Sequence, residues 1–96
     1  MPPLIPWTPD FERIDAVVTA TPDPLRPIYP QRLDDWRAFF RQHGRLPPLL
    51  VAQGGWLVNG HHRLIVAREN GYEPDAEIVL YRHPHWVATG NLIRVR

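Results

Sequence analysis

Residues 54–71 constrain the fold most strongly, because their sequence, GGWLVNGHHRLIVARENG, combines a short apolar run, a glycine turn and a helical pattern between glycine breaks. The aromatic and β-branched side chains at residues 56–58 predict a strand. Gly60 then allows a sharp turn, since glycine readily adopts positive φ angles. Apolar residues recur at three- and four-residue spacing after His61, and Gly71 stands where helices commonly end. The stretch therefore predicts a strand, a tight turn and a helix.

The start of this helix is the candidate functional site. The first backbone N–H groups of a helix lack helical partners and carry a partial positive charge. Three basic residues, His61, His62 and Arg63, follow Gly60 on that first turn. A guanidinium can bind a phosphate or carboxylate through two parallel hydrogen bonds, so the pattern predicts an anion site at residues 60–63. The alternative is that Gly60 serves only as a turn and that the basic residues are solvated.

Length and composition predict one small domain with a thin core, because 96 residues bury only a moderate share of their surface. The chain has no cysteine, which excludes disulfides, thiolate chemistry and cysteine-ligated zinc. Small secreted domains often carry disulfides, so a cytoplasmic location is favoured. We expect no membrane association, since no apolar run approaches the ~18 residues that span a bilayer. The net charge of +1 gives no strong field for bulk nucleic-acid binding.

Residues 1–10 contain four prolines and predict an extended arm ahead of a single domain at residues 11–96. Leu4, Ile5 and Trp7 are unusually apolar for a free tail. We expect these side chains to pack on the surface of their own domain. The alternative is a homodimer in which the arm docks onto a second copy of the chain.

The remaining elements interleave strands with helices. Residues 21–30 are too rich in proline for a helix or a central strand and predict a stiff surface loop, whose only cation is Arg26. A helix at residues 31–43 carries an apolar stripe that we expect to lie in the core. The stripe consists of Leu33, Trp36, Phe39 and Phe40. We predict strands at residues 11–19, 46–52, 56–58, 76–81 and 91–96, with a turn at residues 82–86.

This order of elements indicates an α+β fold. We expect a small mixed α/β domain with a mixed sheet of about four to five strands and two main helices.

Residues 44–81 resemble the core of the ParB/sulfiredoxin superfamily. The order is a helix ending in glycine, a proline-bearing strand, a strand closing on glycine, and a helix opening on a basic motif. Leu49-Leu50-Val51, the motif LVNGHHR at residues 57–63, and Ala67 near Gly71 carry the resemblance. Asn59 stands where many ParB-like domains have an acidic residue.

The preceding part of the chain is similar to sulfiredoxin more loosely. It has a strand, a loop with Arg26-Pro27-Ile28 and a helix led by Pro30. Arg32 takes the place of a sulfiredoxin lysine that contacts nucleotide phosphates. The hydroxyl residues that follow this lysine correspond here to Asp35 and Phe39, which departs from the family pattern.

The resemblance implies a nucleotide site at the start of the second helix. In sulfiredoxin the histidine and arginine of the motif contact ATP phosphates, which implies this role for His62 and Arg63. The catalytic cysteine of sulfiredoxin corresponds to His61, so sulfinic acid reduction is not expected. In ParB partition proteins the same fold binds CTP and switches a dimeric clamp. CTP and ATP are therefore the candidate ligands.

Histidine supplies the candidate acid–base chemistry. His61 is the best candidate for a catalytic residue, because imidazole titrates near neutrality. Adjacent histidines on a helix point about 100° apart, so one metal ion cannot easily bind both His61 and His62. We therefore predict no metal site. The sequence offers neither a convincing second carboxylate nor a Walker-type loop, which favours binding over turnover.

Three functional hypotheses follow. The first is a nucleotide- or phosphoryl-ligand-binding module of ParB/sulfiredoxin type, from a bacterium or a mobile element, with at most weak phosphohydrolase activity. The second is a small nuclease that depends on a divalent metal, or another protein with DNA as its partner. The third is a protein-interaction domain in which the motif is vestigial.

Overall fold

The structure, a computed structural model, describes residues 17–52 and 54–96. The predicted arm at residues 1–10 and most of the predicted first strand lie outside the described residues. Within them, two helices alternate with short and long strands. The elements are β1 (Val17–Val18), α1 (Pro30–His43), β2 (Leu49–Ala52), β3 (Trp56–Asn59), α2 (His61–Glu69), β4 (Asp75–Arg82) and β5 (His85–Val95).

The strands form one five-stranded mixed sheet in the order β1-β5-β4-β2-β3. β2 pairs antiparallel with β3 and parallel with β4. β5 pairs antiparallel with β4, and the two residues of β1 pair parallel with β5 at Arg94 and Val95. A mixed sheet with two helices confirms the predicted small mixed α/β domain.

The two faces of the sheet differ. Residues that are neighbours in the strand register, such as Val51, Leu57 and Ile78, point to an inner face, where Leu64 of α2 joins the same buried cluster. The outer face carries large apolar side chains that are each between 44% and 47% exposed. These are Trp56, Tyr81, Trp86 and Leu92.

The aromatic stripe of α1 packs against α2 and the chain that flanks it. Its four apolar side chains are half-buried and pack against a second buried cluster formed by Leu46, Val66 and Ala67, so the stripe borders the core rather than lying inside it. On the solvent side, Arg37 donates from Nε and Nη2 to the Glu69 carboxylate at 3.0 and 2.7 Å. This two-point contact joins the helices beside their shared cluster.

Both helices end at the glycines that the sequence predicts. Gly44 has φ 70° and donates its N–H to the carbonyl of Phe40 at 2.7 Å. Gly71 has φ 63°, and the N–H of Tyr72 reaches back to the carbonyl of Ala67 at 2.9 Å. These bonds satisfy carbonyl groups that the last turn of a helix leaves unpaired. The start of α1 falls at Pro30, one residue before the prediction, because the fixed φ of proline suits the first helical position.

The C-terminal hairpin corrects two predictions. β5 begins at His85 rather than at residue 91, and the turn shrinks from residues 82–86 to His83 and Pro84. A bulge in the middle of β5 interrupts the alternation of side chains by which a strand is recognised in a sequence. There, Thr89 donates its hydroxyl to the carbonyl of Ile78 at 2.8 Å, and the N–H of Gly90 donates to a Glu77 carboxylate oxygen at 3.0 Å.

β2 is also shorter than predicted and begins at Leu49, since Pro47 and Pro48 have no N–H group to donate to a neighbouring strand.

No helix within residues 17–52 and 54–96 combines the length and the apolar character needed to cross a bilayer.

Candidate anion-binding pocket

Gly60 creates the turn from β3 into α2. Its φ of 103° lies in the left-handed region, and its carbonyl accepts the first helical hydrogen bond from Leu64 N–H at 2.8 Å. A Cβ atom at this position would lie 2.5 Å from Leu49 Cδ2 and 3.2 Å from Arg63 Nη2. Glycine is therefore needed both for the backbone angle and for the space. The turn leaves the first N–H groups of α2 without helical partners, and no side chain within residues 17–52 and 54–96 caps them.

A pocket of about 510 Å³ opens beside this helix start. Two parts of the chain line it, namely the junction of β3 with α2, and the proline-rich loop together with the first turns of α1. Its described lining includes three arginines and no carboxylate. The lining residues are Arg26, Pro27, Tyr29, Arg32, Trp36, Asn59, Gly60, His61, His62 and Arg63.

Arg63 is held in place from two sides. Its Nη1 donates to the carbonyl of Pro48 at 2.6 Å, and its guanidinium carbon lies 5.4 Å from the centre of the Trp36 ring. Burial lowers the pKa of this guanidinium, which nevertheless stays charged because arginine is so basic. Nη1 of Arg63 is thus bound to the protein itself, while the residue also lines the pocket.

His61 and His62 are buried, with 5% and 9% of their surface exposed. Nε2 of His61 accepts the backbone N–H of Asp23 at 3.2 Å, and Nε2 of His62 accepts the backbone N–H of Tyr29 at 3.0 Å. A ring nitrogen that accepts a hydrogen bond carries no proton, so both imidazoles are neutral and protonated on Nδ1.

The surroundings of both histidines favour this neutral form. Burial lowers the pKa of His61 below its ordinary value, and the charge of Arg26 adds to the effect while Asp23 opposes it. Burial also lowers the pKa of His62, with further contributions from Arg32 and Arg26. The two imidazoles therefore resist protonation in the folded chain.

The proline-rich loop is tied down at both ends. At its start, Thr21 N–H donates to the carbonyl of Gly55 at 2.9 Å, and the carbonyl of Thr21 accepts the N–H of Leu57 at 3.1 Å. At its end, Tyr29 N–H is bound by His62. Between them, a turn closed by a bond of 3.1 Å from Arg26 N–H to the carbonyl of Asp23 brings Arg26 to the pocket.

Aromatic side chains flank the charged groups. The Tyr29 ring is half exposed and stacks on His62 with 6.1 Å between ring centres and 13° between planes. The guanidinium carbon of Arg32 lies 5.3 Å from the centre of the same Tyr29 ring. Trp36 presents one side to the pocket while it packs against the second core cluster.

The structure brings all the predicted site residues to one pocket: Gly60, His61, His62, Arg63 and Arg32. The expectation for His61 needs correction in one respect. We predicted it as an available acid or base, whereas its Nε2 is occupied by the Asp23 N–H. Asp35, at the place of a sulfiredoxin hydroxyl residue, accepts a hydrogen bond from the exposed Gln31 at 3.0 Å and does not line the pocket.

Sequence reasoning did not assign Arg26, Tyr29, Trp36 and Asn59 to the site. Arg26 offered a signal as the only cation of a long proline-rich loop. Trp36 offered another, since it follows Arg32 by four residues and therefore shares its side of α1.

The second histidine pair, His83 and His85, is exposed on the distant hairpin. Within residues 17–52 and 54–96, no group of three or more histidine, aspartate or glutamate side chains could hold a metal ion.

Comparisons with known proteins give no family assignment: no protein-family model, no curated protein and no solved structure matches the chain. The resemblance to the ParB/sulfiredoxin superfamily stays a prediction.

Proposed function

We propose that the chain is a ligand-binding module that takes a nucleotide or another phosphoryl compound in this pocket, in the manner of a ParB/sulfiredoxin-like domain. The phosphate would lie at the α2 start formed by residues 60–63. Arg32 and Arg26 would approach it from the α1 side.

One observation carries the proposal. Three arginines and the start of α2, whose first N–H groups have no helical partners, line a single pocket in a protein whose net charge is only +1. Hydrogen bonds to charged groups contribute about 1.5–3 kcal/mol each, and a helix N-terminus adds about 0.3–1 kcal/mol for an anion. A volume of about 510 Å³ suits a small molecule.

The aromatic side chains favour a nucleotide over inorganic phosphate. Tyr29 and Trp36 both line the pocket, where Arg32 lies near the Tyr29 ring and Arg63 near the Trp36 ring. Stacking of a base on an aromatic ring contributes about 1–3 kcal/mol. A ligand that carries both phosphate and base would therefore bind more tightly than either part alone.

The site supports binding better than turnover. A general base must reach the proton that it removes, and Nε2 of His61 is already engaged with a backbone amide. Hydrolysis is accordingly secondary in this proposal.

Isothermal titration calorimetry tests the proposal with sulfate, pyrophosphate, CTP, ATP and the corresponding nucleosides. We expect binding of the phosphorylated compounds, weaker binding of sulfate, and none of the nucleosides. Arg32→Ala should weaken binding at least about tenfold, which corresponds to one charged hydrogen bond. Arg82→Ala is the matched control, since Arg82 lies at the hairpin and outside the pocket. A folded protein that binds none of these anions overturns the proposal.

A further inference from the structure

We infer that His61 and His62 are positioning residues: together they form a histidine latch, in which their two unprotonated Nε2 atoms hold the loop of residues 23–29 across the pocket, and protonation of the imidazoles releases that loop. The latch concerns how the proposed binding site is closed, and to that extent it rests on the proposed function. Its hydrogen bonds can be tested without any ligand.

The geometry explains why two adjacent histidines are needed. Neighbouring residues on a helix point about 100° apart, so they cannot easily reach the same atom but can reach two points of one segment. Here the two points are the N–H groups of Asp23 and Tyr29, which bracket the loop. Arg26 lies between them and faces the pocket. Each histidine therefore fixes one end of the segment that carries this arginine.

The chemistry of imidazole turns these contacts into a switch. Neutral imidazole has one nitrogen that accepts a hydrogen bond, whereas protonated imidazole has two donors and no acceptor. After protonation, Nε2–H of His61 would face the N–H of Asp23, and Nε2–H of His62 would face the N–H of Tyr29. Both attractive contacts would become repulsive, and both part-buried amides would lose their imidazole acceptors.

Burial lowers the pKa of both imidazoles most, and the charged groups around the latch modify that effect. Asp23, on the loop, favours protonation of His61, whereas Arg26 on the loop and the neighbouring His62 oppose it. Arg32 of α1 and Arg26 oppose protonation of His62, against which the Tyr29 ring is stacked. Arg63 follows on the next position of α2 and lines the same pocket. Burial and the surrounding arginines both disfavour the charged imidazoles, so the latch is closed at neutral pH and opens in acid.

The proposal predicts loop release rather than a simple loss of affinity. Protonation adds positive charge beside the pocket, which by itself attracts an anion. Release of the loop withdraws Arg26, which has the opposite effect. Attachment of the loop is therefore the property to measure, and anion affinity is followed separately.

Nuclear magnetic resonance of the full chain without ligand tests the latch directly. At about pH 7.5, imidazole nitrogen shifts should assign the proton to Nδ1 in both residues, as expected for neutral rings with an accepting Nε2. On titration into acid until both imidazoles are protonated, hydrogen-exchange protection of the Asp23 and Tyr29 amides should fall at least about tenfold, the equivalent of one hydrogen bond. The midpoint should coincide with titration of the two imidazoles.

A double variant supplies the matched control. His61→Gln with His62→Gln keeps an accepting oxygen near each former Nε2 but cannot be protonated, so protection of the two amides should persist across the same acid titration. His83→Gln with His85→Gln changes the exposed hairpin pair and should behave as the original chain does. The single variant His62→Gln tests the Tyr29 contact alone, should the double variant not fold.

Three outcomes would overturn the latch. The imidazoles could carry their proton on Nε2 at neutral pH, or the two amides could stay protected after the imidazoles are protonated. The third is that the glutamine variants lose amide protection with the same pH dependence as the original chain. Sulfate and pyrophosphate titrations separate this inference from the proposed function. A chain that shows the latch but binds neither anion overturns the function alone, and a chain that binds them with a pH-independent loop overturns the latch alone.

Discussion

The pocket and the tip of the β4–β5 hairpin are built from the same kinds of residue but differ in nearly every physical respect. Each has a histidine pair near arginine and aromatic side chains. His61 and His62 are buried and accept backbone N–H groups from a distant segment. His83 and His85 flank Pro84 at a turn and are exposed. Residue type alone therefore does not define a site.

The difference comes from what the backbone does at each place. At the pocket, Gly60 turns a strand into a helix within the core, so the helix start and its side chains face the proline-rich loop. At the hairpin, residues 81–88 are all exposed, and Tyr81 packs on Trp86 with 5.3 Å between ring centres. Partners at long sequence distance make the first region specific, and the second has mainly cross-strand neighbours.

The largest expected effect comes from substituting two glycines that both have positive φ, one at the pocket and one in the hairpin. Gly60→Ala should lower the free energy of unfolding by about 3 kcal/mol, because the new Cβ adds backbone strain and a clash with Leu49. Gly90→Ala in the hairpin has no heavy atom within 4 Å of the new Cβ and should cost about 1 kcal/mol from strain alone. Urea denaturation of both variants measures the difference, and equal losses would contradict the tight packing at Gly60.

The next test compares two arginines. Arg63→Ala should reduce sulfate affinity at least about tenfold and lower stability by about 1–2 kcal/mol, since it leaves the Pro48 carbonyl without its donor. Arg82→Ala should change neither quantity measurably. Calorimetry and urea denaturation provide the readouts. Unchanged anion binding in the Arg63 variant would mean that this guanidinium serves only to hold the chain between Pro48 and Trp36.

A smaller effect concerns pH. His61 and His62 have lowered pKa values in the folded chain, so they favour folding fully above about pH 6.5, where both folded and unfolded forms are neutral. Stability should decline as pH falls from there through the folded-state pKa values, because the unfolded chain binds protons first. His61→Gln with His62→Gln should flatten this decline, as measured by urea denaturation across the pH range. The same profile in the double variant would assign the decline to other groups.

The smallest effect is expected at the hairpin tip. Trp86→Ser removes a ring that is 47% exposed and pairs with Tyr81, so the loss of stability should stay below about 1 kcal/mol and sulfate binding should be unaffected. A loss well above this value would show that the outer face of the sheet is packed more tightly than its exposure indicates.

Local signals predicted the part of the fold that local forces control. The glycines at residues 44, 60 and 71 marked two helix ends and one turn correctly, since a positive φ is a local requirement. The inward side of α1 was predicted because its apolar stripe follows the helical period, although the stripe borders the core and is only half-buried. β5 was mostly missed, since its bulge around Gly90 breaks the strand pattern.

Only the part of the site on α2 was predictable from the sequence. The basic cluster at the α2 start is contiguous in the chain, so the sequence alone is enough to recognise it. Its partners lie 38 and 33 residues away, for His61 and His62 respectively, and no local pattern indicates that a backbone amide would reach each ring. Arg26 enters the pocket for the same reason, through long-range folding of a loop without regular structure.

The double attachment of the proline-rich loop has a consequence for redesign. Asp23 is bound by His61 and Tyr29 by His62, so the segment between these two residues is held at both ends. Lengthening such a span raises its closure entropy only slowly. The residues Arg26-Pro27-Ile28 are thus suited to sequence variation. Substitutions or insertions there would change which ligand the protein recognises while leaving the rest of the fold unchanged.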